Sequence, residues 1–439
     1  MHLYERIVED LTRSIEEGEI RPGERLPSIR EVAERYGCNK LTAQRSFDLL
    51  AAGGFVENRP GSGSYVRFPA PPEERAGDFS AARLSEDFFP YEEAGRLFGE
   101  VLAVERGRVF SASGPRGEPR LIEALARRFA LPPESLFLIS GGQQGLDLCR
   151  RLFSGAEGPG GGPTGRRGGI GKGAPDVLVE EPTYPGALSL FRPRASLPFG
   201  AEGPDPEAFE RHWAERRGAG APVYYAVPDL HNPTGLRYSL ERKRAIAEAA
   251  RRREVYIVED DYVSELEPSG LPRFVDLAPE RTVWIKSLSK AAAPGLRIGL
   301  VAAPPGLREE LLHLRAETDT GPAAWLQFFA ERLLASGLLD RHQAACAGIA
   351  TRRRGELLAL LARFPGLSTP AGSRGYNLWV AAPEEPRLGA APWAEGARFG
   401  LGAGCRSHFR LSFMSVGEAE WPAALARLER ALSAAFARS

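Results

Sequence analysis

Apolar residues recur every fourth position at the start of the chain, where Leu3, Ile7, Leu11 and Ile15 form one stripe of a helix. The stretch EGEIRPGERLP interrupts it with glycines and prolines. Ser28 and Glu31 then stand three residues apart as a capping box, each satisfying a free backbone donor of the other. Gly37 is placed to end the helix they start. Asn39 can cap a third helix that runs to about Ala52 and is closed by Gly53, with Ala43, Phe47 and Leu50 facing inward. FVENRPGSGSYV reads as two short strands joined by a Pro-Gly-Ser-Gly turn. Residues 1–68 are therefore expected to form one small α+β unit.

A Pro-rich, charged connector, PAPPEERAGD, follows, and residues 69–80 read as a linker. Extended, its ten residues from 69 to 78 reach roughly 30 Å, at about 3 Å per residue. Beyond it the pattern becomes α/β. The apolar runs DVLVE (176–180), VYYAV (223–227), VYIVE (255–259) and TVWIK (282–286) alternate with helical stretches such as 240–253. That alternation predicts a mostly parallel sheet with helices on both faces across 81–439. Ligands of such sheets sit at the carboxyl ends of the strands, and each conspicuous polar motif of this region follows one of these runs. One segment is out of character. GAEGPGGGPTGRRGGIGKG (155–173) has ten glycines and three basic residues but fails as a P-loop, because Arg166 stands five before Gly171 and glycine follows Lys172. It reads as a surface loop.

Composition narrows the picture little. At 439 residues two or three domains are expected, and 43% hydrophobic with 26% charged residues is ordinary for a globular chain. Net charge is zero, so no partner is implied by it. Cys38, Cys149, Cys346 and Cys405 are scattered, which argues against a disulfide framework or a zinc site and fits a reducing cytosol. No signal peptide and no apolar run of membrane-spanning length is visible, so a cytoplasmic protein is expected.

The first unit holds ten Lys/Arg against eleven Asp/Glu, so any nucleic-acid chemistry lies in their placement. With Ala43, Phe47 and Leu50 inward, Lys40, Thr42, Gln44 and Arg45 face outward, residue types that reach base edges and phosphates from a major-groove helix. Arg30 opens the preceding helix, and the glycine-serine tip of the hairpin lets backbone approach a phosphate. Helix geometry alone serves a small oligomerisation module equally well. The run GERLPSIREVAERYGCNKLTAQRSFDLLAAGGFVENRPGSGSYV resembles the winged helix-turn-helix head of GntR-type bacterial regulators, from Leu3 to Val66. The resemblance implies DNA contacts from Arg30, Asn39, Lys40, Thr42, Gln44, Arg45 and the tip Gly61, Ser62 and Gly63. Cys38-Asn39-Lys40 departs from the Ser-Arg type of pair common there.

The body offers the four groups that pyridoxal 5′-phosphate requires. Lys290, after a strand and the hydroxyls of Ser287 and Ser289, can supply an imine-forming amine. Asp260 or its neighbour Asp261 can hold the pyridine nitrogen. Asn232 and Tyr262 can bond the phenolic oxygen, and Tyr184 can stack on the ring. Ser140, Gly141, Gly142 and Gln143 stand where a helix begins, so free N–H groups can bind a phosphate that Ser287, Ser289 and Arg297 complete. Each motif has a plain structural reading alone.

In their order, SGGQQGLDL, EEPTYPGA, HNPTG, VEDDY, SLSKAAAPGLRIG and HFRLSF resemble fold-type I aminotransferases from about residue 78 to 439. That resemblance implies a large domain (about 106–310) with a mostly parallel seven-stranded sheet and a smaller C-terminal α/β domain (about 311–439). It also implies a homodimer with sites at the subunit interface. Lys290 becomes the cofactor lysine, Asp260 the pyridine partner, and Arg410 the holder of an α-carboxylate. A departure stands at FSASGPRGEP (110–119), where the family's partner-reaching tyrosine is matched by Ala112 or Ser113. A GntR head on this body resembles the MocR-type regulators, sometimes called the GabR class. Such a chain is expected to bind an operator and to sense an amine, amino acid or the cofactor through Lys290. The alternatives are a working aminotransferase with a DNA-binding head, and a fold retained only for dimerisation.

Overall fold

The computed structural model describes residues 3–16, 20, 23–52, 55–59, 62–66, 77–154, 173–216, 218–319, 321–386 and 391–436. The chain divides into two units, Met1–Ala76 and Gly77–Ser439.

In the first unit α1 (Leu3–Glu16), α2 (Ile29–Arg35) and α3 (Lys40–Ala52) precede the strands β1 (Val56–Arg59) and β2 (Gly63–Val66). The capping box forms: the Glu31 N–H donates to the Ser28 hydroxyl at 3.3 Å, and the Ser28 N–H donates to the Glu31 carboxylate at 2.7 Å. Gly37 takes φ +61°, the left-handed conformation that stops α2. The side-chain oxygen of Asn39 accepts the Thr42 N–H at 2.8 Å, so Asn39 caps α3. Ile7, Leu11, Leu26, Val32, Phe47 and Leu50 close the core, onto which the antiparallel hairpin lays Val56 and Val66.

The second unit begins with α4 (Tyr91–Glu105), α5 (Pro119–Phe129), β3 (Leu136–Ile139), α6 (Gly142–Phe153), β4 (Asp176–Glu181), α7 (Pro185–Phe191) and β5 (Ala195–Pro198). It continues with α8 (Pro206–Glu215), β6 (Pro222–Ala226), α9 (Leu240–Arg252), β7 (Tyr256–Asp261), α10 (Phe274–Leu277), β8 (Thr282–Ser287) and β9 (Gly299–Ala302). The last elements are α11 (Arg308–Thr318), α12 (Ala324–Ala335), α13 (Leu338–Leu361), β10 (Asn377–Ala381), β11 (Ala394–Glu395), β12 (His408–Ser412) and α14 (Trp421–Phe436). Seven strands form one sheet in the order β3-β9-β8-β7-β6-β4-β5, with β9 antiparallel to both neighbours and the other pairs parallel. The second sheet, β10-β12-β11, is antiparallel.

Two boundaries differ from expectation. Residues 78–80, assigned to the linker, belong to the body. Phe79 is fully buried, its N–H donates to the Pro392 carbonyl at 2.7 Å, and its carbonyl accepts the Ser412 N–H at 2.8 Å. One aromatic ring is enough to dock an otherwise polar run. The second difference concerns the split near residue 310. α11 packs on α6, and α12 packs on α4 and α5 in a cluster that includes Leu138, Trp284 and Leu300 of the large sheet. Their apolar faces place both helices with the large sheet, and the small sheet instead gathers Phe79 and Leu84 from before residue 106.

Candidate functional site

Five strands, β3, β4, β6, β7 and β8, deliver their exits to one cavity of about 220 Å³. β8 leads to Lys290, whose ammonium donates to the Ala82 carbonyl at 3.1 Å and lies 5.8 Å from the ring centres of both Tyr184 and Tyr262. Burial lowers its pKa to about 8; Asp260 opposes that shift, and Arg410 and Arg297 add to it.

β7 ends in two aspartates that serve opposite sides. Asp260 lines the cavity and accepts the Tyr225 hydroxyl at 2.8 Å. Burial raises its pKa to about 6, against the pull of Tyr225 and Lys290. Asp261 points the other way, to the buried Lys286 at 2.7 Å and to Ser264. Successive strand residues alternate faces, so only Asp260 is free for a ring nitrogen.

The turn after β6 carries Asn232, whose side-chain oxygen accepts from Arg410 at 2.9 Å. Its amide Nδ2 is thereby left as the donor for the cavity. Tyr262 also lines the cavity, but its hydroxyl donates to the Leu230 carbonyl at 2.6 Å and accepts from Asn377 at 2.9 Å. Arg410, on β12, also donates to the Ser80 carbonyl, while its Nε is buried with no partner among the described residues. Burial lowers its pKa to about 10.

At the start of α6, Gly142 and Gln143 face the cavity with first-turn N–H groups that have no helical partner. Ser140 stands behind them. Its N–H donates to the Gln144 side chain at 2.6 Å, and its carbonyl accepts from Arg297 at 2.5 Å. Gly141 takes φ +100°, and a Cβ there would lie 2.9 Å from Arg297 Nη2. Ser287 lines the cavity with a hydroxyl that has no partner among the described residues, whereas the Ser289 hydroxyl accepts the Ile298 N–H at 3.1 Å. Positions 112 and 113 are alanine and serine, and the Ser113 hydroxyl accepts from Gln327 at 2.9 Å.

These residues fit pyridoxal phosphate. The cavity combines an amine, an aligned carboxylate, an amide donor and an anion cradle, and the cradle's closeness to Arg297 is what demands glycine at 141. Sequence reasoning did not reach Tyr225, Ser80 or Ala82. Tyr224 and Tyr225 of VYYAV are both fully buried, so burial does not single out Tyr225; the other two act through backbone carbonyls, which leave no side-chain signal. A larger hollow of about 890 Å³ lies at the other end of β4, beside Asp176 and Arg192, and contains none of these groups.

In the head, Arg30, Asn39, Lys40 and Arg45 are exposed. Thr42 donates its hydroxyl to the Asn39 cap at 2.9 Å, and Gln44 donates to Asp48 at 2.9 Å. The Arg45 guanidinium sits 4.3 Å from the ring centre of Tyr4. Leu41, not anticipated, is 81% exposed in the first turn of α3. In the hairpin the Ser62 and Tyr65 hydroxyls lie 2.7 Å apart, and Gly63 has φ +115°. Gly61 and residues 155–172 of the glycine-rich segment lie outside the described residues.

Comparison with known proteins agrees with both units. Residues 3–66 match the family of bacterial regulatory proteins, gntR family, and residues 92–420 match aminotransferase class I and II. The chain is 26% identical to the HTH-type transcriptional regulator TauR of Rhodobacter capsulatus, over 98% of this chain and 96% of that one. It is 27% identical to the 2-aminoadipate transaminase of Thermus thermophilus, over 82% of this chain and 90% of that one. Among solved structures it resembles the α-aminoadipate aminotransferase LysN of Thermus thermophilus, complexed with N-(5′-phosphopyridoxyl)-L-leucine. The TM-score is 0.70 at 25% identity, covering 82% of this chain and 93% of that one. The chain belongs to the class I and II aminotransferase family, whose fold is pyridoxal phosphate-dependent, and carries that fold behind a gntR-type helix-turn-helix head in the manner of MocR-type regulators.

Proposed function

We propose that the chain is a DNA-binding transcription regulator that holds pyridoxal phosphate at Lys290 and responds to a primary amine carrying a carboxylate. One observation carries the reading. Lys290 and Arg410, the two cations that would engage such an effector, both donate to carbonyls of one short stretch, Ala82 and Ser80. That stretch directly follows the connector to the head.

Bound pyridoxal phosphate supplies an aldehyde for a covalent link to the lysine and a ring that withdraws electrons from it. The protein does the rest. Asp260 would hold a proton at the ring nitrogen, Asn232 Nδ2 would donate to the phenolic oxygen, and Gly142, Gln143, Ser287 and Arg297 would hold the phosphate. An effector amine entering the cavity would take the place of Lys290. The effector carboxylate would take the Arg410 guanidinium, including the Nε that has no partner among the described residues, and displace the Ser80 carbonyl. Residues 78–83 then lose an anchor, and the link to the head changes. To move DNA occupancy the effector must favour one conformation; a tenfold preference is about 1.4 kcal/mol.

The homodimer is part of this proposal. Phe110, Val104 and Tyr91, in and just after α4, are large apolar side chains exposed by 86%, 60% and 60%, and Trp325 on the neighbouring α12 is exposed by 37%. A second copy of the chain would cover them and would present two heads to paired half-sites.

The test is a titration of the holoprotein with L-amino acids and with the matching decarboxylated amines. The visible absorption of the lysine–cofactor link and binding to a duplex selected from a random-sequence pool are read together. The Lys290→Ala variant is expected to lack the band. Amino acids that remove the band should change DNA affinity more than their decarboxylated counterparts. Loss of the band with unchanged DNA binding defeats the sensor reading. The second reading, an aminotransferase, is favoured by the retained Lys290, Asp260 and Asn232 set, and sustained multiple-turnover formation of a keto acid would establish it.

A further inference from the structure

β4 ends in two adjacent glutamates, and Glu180 is the fully buried one. Its carboxylate collects groups from three places. Both oxygens accept the Val227 N–H at 3.1 Å, Oε1 accepts the Tyr238 hydroxyl at 2.5 Å, and Oε2 lies 3.4 Å from the Thr183 hydroxyl. His231 Nε2 stands 3.2 Å from Oε2 without a well-aligned hydrogen bond. The His231 ring stacks on Phe199 with centroids 3.8 Å apart, and its Nδ1 lies 2.8 Å from the Thr234 hydroxyl. The Tyr224 hydroxyl reaches Tyr238 at 2.6 Å. No lysine or arginine pairs with Glu180 among the described residues.

A buried carboxylate without a cation is poor stabilising material, because its desolvation is offset only by hydrogen bonds. Its placement gives it another use. Thr183 and Tyr184 follow it by three and four residues, Val227 opens the exit of β6, and His231 immediately precedes Asn232. The carboxylate thus clamps together the chain exits that deliver Tyr184 and Asn232 to the cavity. The side chain of Asn232 is held on its other side by Arg410. We infer that Glu180 is a positioning residue of the cofactor site, fixing the Asn232 amide through the Val227 N–H and His231.

The inference rests on the pyridoxal phosphate reading, and the experiment separates the two. Holoprotein is prepared as wild type, Glu180→Gln, Glu180→Ala, Asn232→Ala and the double variant Glu180→Ala/Asn232→Ala, and the visible band is titrated with pH. Absence of any band from the wild type defeats the cofactor reading itself. If Glu180 acts through Asn232, Glu180→Ala and Asn232→Ala shift the pH midpoint in the same direction. The double variant then shifts it no further than Asn232→Ala alone. Glu180→Gln keeps the shape, loses one acceptor, and covers the case in which the alanine variant does not fold. It should shift the midpoint the same way by about half a pH unit, roughly a threefold change in the proton equilibrium. A lower melting temperature with an unmoved midpoint, or shifts that add in the double variant, overturns the inference.

Discussion

A lysine serves an aldehyde only as the free amine, and burial gives Lys290 a pKa of about 8. At pH 7 roughly a tenth of it is free, against about three parts in ten thousand for an ordinary lysine. Below its pKa the amine is protonated and inert; above it, reactive. The rate at which cofactor-free protein develops the visible band with pyridoxal phosphate should therefore rise with pH and reach half its maximum near pH 8. A midpoint near that of free lysine contradicts the buried amine. Asp260 is the group that raises the lysine pKa, so Asp260→Asn should move this midpoint below 8 while weakening the hold on the ring. Stopped-flow absorbance across pH 6–10 reads both effects.

At the scale of elements, the first turn of α6 decides phosphate binding. Gly141→Ala puts a side chain on backbone at φ +100° and presses it against Arg297. Pyridoxal phosphate affinity should fall about tenfold or more, ~1.4 kcal/mol, by equilibrium dialysis. The fold around the glycine should survive, since β3 and α6 keep their own contacts. Strands and the motifs at their ends were legible in the sequence because β4, β6, β7 and β8 are short apolar runs with polar residues at one end. The head was legible for a different reason: its caps, Ser28, Gly37 and Asn39, each perform one local task. What stayed hidden was non-local. The choice between Asp260 and Asp261 depends on which face of β7 Lys286 occupies, and α12 joins the large sheet only because its apolar face meets α4 and α5. The commitment of Tyr262 to Leu230, and of Lys290 to Ala82, runs through backbone carbonyls that carry no residue identity.

For the whole molecule, the weight of the proposal falls on coupling two heads through one body. A winged helix with balanced charge gains modest affinity from a single half-site, whereas two linked heads gain by effective concentration, on the order of 10²–10⁴. The exposed apolar side chains Val104, Phe110 and Trp325 are where a second chain would supply that link. Phe110→Asp introduces a charge at the most exposed of these rings. The variant should sediment as a monomer where the wild type sediments as a dimer. It should bind the selected duplex at least about tenfold more weakly, and should keep the visible band. Arg45→Ala should weaken DNA binding with the dimer intact and reduce the salt dependence, because each lost phosphate contact lowers the slope of log affinity against log salt by about one. The two variants separate assembly from recognition. If Phe110→Asp stays dimeric, these side chains do not make the dimer contact; if it becomes monomeric without loss of affinity, each head binds DNA independently and the body cannot act by pairing them.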